Sequence, residues 1–296
     1  MRKALLGLVA LSLGGTLIAQ DQDYSKVEVK VVKVAGSVSM LQGAGGNVGV
    51  SVGDDGIVMV DTEFAPLAPK LKAALAGLTT KPIRFIVNTH WHSDHTDGNL
   101  AFQADAPIIA HDNLRKVLAS GGHTMARTSP PAAKGALPIL TFSDTLTIHL
   151  NGEDIALIHY PSAHTDGDSI VYFTQSNVLH LGDEFVTYGF PFVDLDNGGS
   201  VVGMTAALKQ VVARFPQDVK VIPGHGPVST MDDVRNLIKM MEETTAIVAA
   251  GKAKGKTLAQ LQQDKVLDAY DKKWSGQFIK SDKWIELIYN DPGPRK

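Results

Sequence analysis

The sequence predicts an α/β fold of two mixed β-sheets packed face to face with helices on the outside. Three observations lead there. The chain has two strand-rich halves, and each is followed by segments of helical spacing, the order expected of stacked sheet and helix layers. Apolar residues make up 44% and charged residues 20% of the 296 positions, enough for a substantial core. Polar side chains recur in turns just past apolar strands, where a sheet scaffold places its chemistry.

Taken in order, residues 27–34, 38–41, 48–52 and 57–60 read as strands. The breaks between them include Gly43-Ala44-Gly45-Gly46 and Asp54-Asp55-Gly56. Residues 66–78 carry Leu67, Leu71, Ala74, Leu75 and Leu78 along one helical stripe. The apolar run 83–88 reads as a short buried strand, and 89–98 as the loop leaving it. Residues 108–110 and 113–118 repeat a strand-then-helix pattern. In the second half, 145–150 and 153–159 flank Asn151-Gly152, a strong hairpin signal. Strands 169–174 and 178–181 flank the polar turn Gln175-Ser176-Asn177. Residues 201–215 read as an amphipathic helix, 219–222 as a strand and 231–250 as a long helix. A Gly-, Lys- and Ala-containing stretch at 249–256 separates the last helical segments, which are expected to pack on the same domain, residues 20–296.

Residues 1–19 stand apart. Arg2 and Lys3 precede an uncharged apolar stretch, 4–18, and polar Gln20-Asp21-Gln22-Asp23 follows. That is the layout of a secretory signal peptide, with cleavage after Ala19 and an apolar part shorter than the ~20 residues of a membrane span. A periplasmic or secreted protein without a stable membrane anchor is expected. Without Arg2 and Lys3 the chain has 26 Lys plus Arg against 31 Asp plus Glu, a net of −5. Nucleic acid needs a basic footprint and is excluded as a partner. The chain has no cysteine, which rules out disulfides, thiolate ligands and thiol nucleophiles.

The decisive feature is His90-Trp91-His92-Ser93-Asp94-His95. His90 and His92, two apart on an extended backbone, point the same way and can share one metal. Asp94 and His95 can turn toward a second. Gathering so many polar groups without a ligand is costly, and imidazole with carboxylate is what zinc accepts at a site that keeps a position open for water. Three later residues sit in matching turns: His164 in Ser162-Ala163-His164-Thr165-Asp166, Asp183 in Leu181-Gly182-Asp183-Glu184, and His225 in Pro223-Gly224-His225-Gly226-Pro227. Asp61 ends an apolar strand, either supporting a ligand histidine or making a turn. Tyr188, Phe190 and Phe192 are candidates for a pocket wall or for ordinary packing. Residues 43–47 read as a hairpin turn or a flap, and 119–138 as the variable substrate loop, with His123 as a contact. His111, His149, His159 and His180 are expected to be structural.

The motif H-x-H-x-D-H, followed by separate His, Asp and His positions, resembles the metallo-β-lactamase superfamily from about residue 27 to 227 and through the long helix beyond. The resemblance implies an αββα four-layer sandwich with two zinc ions (Zn2+) per chain at one edge of the sheets. By position it implies His90, His92 and His164 around the first zinc, Asp94, His95 and His225 around the second, and Asp183 bridging both. The thiolate subclass of β-lactamases has cysteine where Asp183 stands and a lysine at the position of Val186. The aspartate is similar instead to the glyoxalase, lactonase and general hydrolase branches. The implied activity is hydrolysis of a small-molecule substrate with a hydrolysable carbonyl: a β-lactam, lactone, ester or thioester. A hydroxide held between the metals attacks, and Asp94 is the implied catalytic residue that orients it and passes its proton onward. Two other classes stand beside this one. An iron-dependent persulfide dioxygenase resembles the family and uses much the same ligands, and a non-catalytic metal-binding module is disfavoured because all seven ligands are present.

Overall fold

Apolar side chains alternating along short strands build the first sheet hairpin by hairpin. The computed structural model describes residues 23–124, 127–276 and 278–294; the expected signal segment, 1–19, lies outside them. A 3-10 turn at Tyr24–Lys26 precedes β1 (Lys30–Ala35), so this strand starts three residues later than its composition suggests. β2 (Val38–Gln42), β3 (Val48–Gly53) and β4 (Gly56–Val60) follow as antiparallel neighbours. Helix α1 (Ala68–Leu78) returns the chain to β5 (Ile83–Val87), parallel to β4. Short helices α2 (Ser93–Thr96) and α3 (Asn99–Phe102) lead to β6 (Ile108–His111), parallel to β5. Helix α4 (Asp112–Ser120) and a small hairpin, β7 (Gly122–Thr124) with β8 (Arg127–Ser129), precede β9 (Leu140–Phe142). The seven-stranded order is β1-β2-β3-β4-β5-β6-β9.

The second sheet runs β10 (Thr145–Leu150), β11 (Glu153–His159), β12 (Ser169–Phe173) and β13 (Val178–His180), all antiparallel. Helix α5 (Val201–Arg214) crosses to β14 (Lys220–Ile222), parallel to β13, and β15 (Ser229–Thr230) forms the edge. Asn151 and Gly152 join β10 to β11 with φ of 57° and 71°, the left-handed turn whose twist matches the strands. Helix α6 (Met231–Ala253) opens on a capping box between Thr230 and Asp233. Helices α7 (Leu258–Gln263), α8 (Asp268–Trp274) and α9 (Ser281–Asn290) follow.

Side-chain period two sorts the strands into layers. Val58 and Val60 of β4 face Ile155, Leu157, Val171 and Phe173 across the gap between the sheets. Ile57 and Met59 of the same strand face outward to Leu71 and Leu75 of α1. On the other outer surface, Met204 and Leu208 of α5, Leu237 and Met241 of α6, and Trp284 of α9 cover Ile158, Ile170, Leu179 and Val221. The result is αββα. Leu71 and Leu208 are fully buried, so truncating either to alanine costs about 2–5 kcal/mol.

Several segments carry more structure than the sequence suggests, α3, β9 and β15 among them. The 89–98 loop contains α2, a single turn too short to display periodicity, with the Thr96 hydroxyl donating to the carbonyls of Trp91 and His92. The 119–138 stretch holds the β7–β8 hairpin and a 3-10 turn at Lys134–Ala136. The histidines outside the motif are held by structural bonds: His111 caps α4 by accepting from Asn113 and stacks on His159 at 3.5 Å, His180 bonds the Asn47 carbonyl, and His149 pairs with Asp154. No helix among the described residues is long and apolar enough to cross a membrane.

Candidate metal centre

The residues just past β4, β5, β13 and β14 meet at one edge of the sandwich. Asp61 follows β4, Thr89 and His90 follow β5, Asp183 follows β13 and His225 follows β14. His164 enters from the loop between β11 and β12. All seven residues singled out in the sequence come together. Their ligand atoms form three sets, each within 4.8 Å: His90, His92 and His164; Asp94, His95 and His225; and His90, His95 and Asp183. Asp183 lies between the other two sets, with Oδ1 3.2 Å from His95 Nε2 and 3.5 Å from His225 Nε2, and Oδ2 3.9 Å from His164 Nε2.

Hydrogen bonds behind the rings fix which nitrogen faces inward. Asp61 is fully buried and accepts from the Thr89 N–H, the Thr89 hydroxyl and His95 Nδ1, at 2.7, 2.7 and 2.8 Å. With its one hydrogen given to Asp61, the Thr89 hydroxyl accepts from His90 Nδ1. His92 Nε2 donates to Asp194 at 2.9 Å, and His164 Nδ1 donates to the Phe192 carbonyl at 2.9 Å. His90, His92 and His164 are thereby each left with a lone pair directed at the centre, and His95 turns Nε2 toward it. His92 Nδ1 and His164 Nε2 stand 2.9 Å apart, two acceptors that call for a cation beside them.

A second group of contacts braces the turn holding His225. The Asn47 side chain donates to the carbonyls of Pro223 and Gly226, both at 2.9 Å, and its N–H donates to Gly224 at 2.7 Å. The preceding glycines are held by Glu63, which accepts from Gly45, and by the Asp94 carbonyl, which accepts from Gly46. Gly46 packs so closely that any Cβ there would collide with the His95 ring. Residues 43–47 are therefore a brace joined to the ligands rather than a flap. Asp61 and Glu63 both adopt left-handed backbone, at φ 67° and 59°, a cost that clusters at functional sites.

The electrostatics divide the centre in two. Burial, followed by His95 and His164, holds His90 well below the usual imidazole range, and burial with His92 brings His164 to about 4. These are neutral imidazoles ready to ligate. Burial also pushes Asp183 up and His95 down, but the opposite charges beside them win, His225 and then His95 for Asp183, and Asp183 first for His95. With His225 beside it Asp183 falls well below the usual carboxylate range, and with Asp94 and Asp61 adding to the pull His95 rises well above its own. Asp94, against the same burial, is held at about 2 by His95 and a hydrogen bond from His225. The carboxylates thus stay anionic and seek positive charge.

The donor set fits a metal. His90 Nε2, His95 Nε2 and Asp183 Oδ1 are buried without a hydrogen-bond partner, an arrangement native proteins avoid unless an ion or water supplies one. All are nitrogen or carboxylate oxygen, the chemistry of zinc and related divalent ions.

The other expectations divide. Phe192 lies 5.8 Å from both His92 and His164, and Tyr188 5.6 Å from His225, so both face the site. Phe190 does not: it is fully buried and stacks on Trp284 at 5.6 Å. Exposed His123 bonds Thr128, and its carbonyl accepts from Asn197, which also donates to Asp194. Sequence reading missed Asp194, Asn47 and Glu63. Asp194-Leu195-Asp196-Asn197-Gly198-Gly199 carries the turn chemistry that could have flagged the first.

Comparison with known proteins places this geometry. Residues 41–251 match the family model described as the metallo-beta-lactamase superfamily. The 2,4-dinitroanisole O-demethylase subunit alpha of Nocardioides sp. (strain JS1661) is 31% identical over 140 residues, 46% of this chain and 40% of that protein. The linear primary-alkylsulfatase of Pseudomonas sp. (strain ATCC 19151) is 27% identical over 237 residues, 66% of this chain and 44% of that protein. The match thus spans less than half the length of either relative. Among solved structures, the metallo-beta-lactamase from Pontibacter korlensis superposes with a TM-score of 0.63 at 18% identity, covering 73% of this chain and 99% of that one. With the αββα layers and the clustered His and Asp side chains, these matches show that the chain belongs to the metallo-β-lactamase superfamily.

Proposed function

We propose that this protein is an exported hydrolase that holds two zinc ions and cleaves a carbonyl–heteroatom bond in a small-molecule ester, lactone, thioester or β-lactam. The observation that carries the reading is the convergence of His90 Nε2, His95 Nε2 and Asp183 Oδ1, buried without hydrogen-bond partners, where two ligand triads meet. His90, His92 and His164 would hold one ion, and Asp94, His95 and His225 the other, with Asp183 serving both. When bound, a zinc pair supplies Lewis acidity and brings the pKa of a water molecule near neutral.

The remaining work falls to the chain. Asp94 keeps the more open carboxylate, 25% exposed against 8% for Asp183. It is the group placed to accept a hydrogen bond from the attacking water, orient it and take its proton. Asp61 and Asp194 hold the imidazoles from behind, so little reorganisation is needed as charge develops. Val186, where the thiolate β-lactamases have lysine, supports the general hydrolase branch over a dedicated β-lactamase. Export rests on the signal-like residues 1–19. A second reading, cleavage of an alkyl sulfate ester or an aryl ether, is favoured by the names of the two relatives above.

The test is turnover by zinc-loaded protein of nitrocefin, a lactone and thioester panel, and alkyl sulfates, alongside metal analysis. Turnover with two zinc ions per chain is expected. Asp94→Ala should retain the circular-dichroism spectrum and lose about 100-fold or more in kcat. Protein from its native host that holds iron and consumes oxygen overturns the hydrolase reading.

A further inference from the structure

The family match ends at residue 251, yet the chain after it reaches back to the metal centre. The Phe190 N–H donates to the Trp274 carbonyl at 2.6 Å, tying the end of α8 to the loop that carries Tyr188 and Phe192. The two backbones touch where side chains would block them. A Cβ on Gly189, at φ 133°, would strike the backbone of Trp274 and Gly276, and one on Gly276 would strike the Tyr188 carbonyl. The Gly276 N–H donates to the Ile279 carbonyl at 3.1 Å, and Ile279 is fully buried.

This anchored turn presents one large apolar side chain to solvent. Phe278 is 57% exposed, although a phenyl ring gains by burial. Its ring lies 6.0 Å from both Tyr188 and Phe192. Tyr188 stands beside His225 of one triad, and Phe192 beside His92 and His164 of the other. The three rings therefore form an arc from both halves of the metal centre to open solvent. A row of aromatic rings that starts beside the candidate ligand histidines and ends uncovered is suited to an apolar group extending from them.

We propose that the arc of Tyr188, Phe192 and Phe278 binds an alkyl or aryl group on the non-reacting side of the substrate, and that Phe278 determines specificity for its length. The proposal rests on the hydrolase reading and names the substrate class: esters or related compounds with an extended apolar substituent.

Two measurements on the full-length protein separate the two readings. Zinc-loaded wild type, Phe278→Ala and Phe278→Trp are assayed on p-nitrophenyl acetate, butyrate, octanoate and benzoate. Losing contact with about two methylenes lowers the octanoate-to-acetate ratio of kcat/KM about tenfold in Phe278→Ala, chiefly through KM. Phe278→Trp retains the ratio, and a benzoate-to-acetate ratio falling with it identifies an aryl group as an occupant too. An unchanged ratio in Phe278→Ala, or equal losses on octanoate and acetate, overturns the proposal. Calorimetric binding of octanoate and acetate to metal-free protein is the second measurement. If wild type cleaves no ester in the panel but binds octanoate more tightly than acetate, and Phe278→Ala removes the difference, the arc stands and the ester-hydrolase reading fails. If wild type binds the two alike, the arc fails.

Discussion

Replacing Asp61 with asparagine isolates one link between fold and metal centre. Asp61 sits at φ 67°, a region asparagine tolerates better than most residues, so the turn survives and only the acceptor changes. In the native protein one oxygen takes the Thr89 N–H while the other takes the Thr89 hydroxyl and His95 Nδ1. Asparagine has one oxygen. Whichever way it turns, its NH2 confronts a buried donor, and an unpaired buried donor costs about 1–3 kcal/mol. The metal-free variant should therefore lose about 2 kcal/mol of stability. The larger effect falls on His95, whose Nε2 faces the centre only while Nδ1 keeps its proton. Loss of such support typically lowers metal affinity about 10–100-fold. Zinc titration against a competing chelator, resolving two binding events, is the assay, with thermal unfolding of metal-free protein alongside. The event that uses His95, bonded to Asp61 directly, should weaken by that factor, and the one that uses His90, reached only through the Thr89 hydroxyl, by less. Equal weakening of both events, or of neither, refutes the assignment of Asp61 to the Asp94, His95 and His225 set.

Two further outcomes follow from particular contacts. Gly46→Ala should disturb the same zinc-binding event, because the new methyl collides with the His95 ring; wild-type zinc affinity in this variant would show the brace to be movable. His111 is depressed from 6.5 to about 4 by burial and by its neighbour His159, against the pull of its bond to the Ser143 carbonyl and of Asp112. The unfolded chain then binds more protons between these values, so stability is lost as pH falls from 6.5 to about 4 and is fully present above. The full shift corresponds to roughly 3 kcal/mol, which solvent screening reduces to about 2. His111→Asn, which keeps an acceptor to cap α4, should lose about 2 kcal/mol less than wild type between pH 7 and pH 4 in urea unfolding. Parallel pH profiles for the two would rule out the stacked pair as the source.

Elements α2, α3, β7, β8, β9 and β15 were not legible in the sequence, whereas the longer strands and helices, the seven polar residues that meet at the centre and the hairpin at Asn151-Gly152 were. Each of these latter is written locally: periodicity marks an element, and a glycine or asparagine marks the turn that ends it. Of the side chains that stand behind those seven, Asp61 was legible as a support for a ligand histidine and the others were not. Asp194 reaches His92 across 102 positions, and Asn47 reaches the His225 turn across more than 170, so no spacing rule connects them. Phe190 and Phe192, two residues apart in one loop, went to opposite fates: one to the core against Trp284, the other beside the ligands. Hydrophobicity alone does not distinguish them. Only the path of the chain after α8, held to the loop at the Trp274 carbonyl and admitted by Gly189 and Gly276, decided that Phe278 would stand beside Tyr188 and Phe192. Such placements depend on backbones approaching in space, a property that belongs to the assembled layers rather than to any one segment.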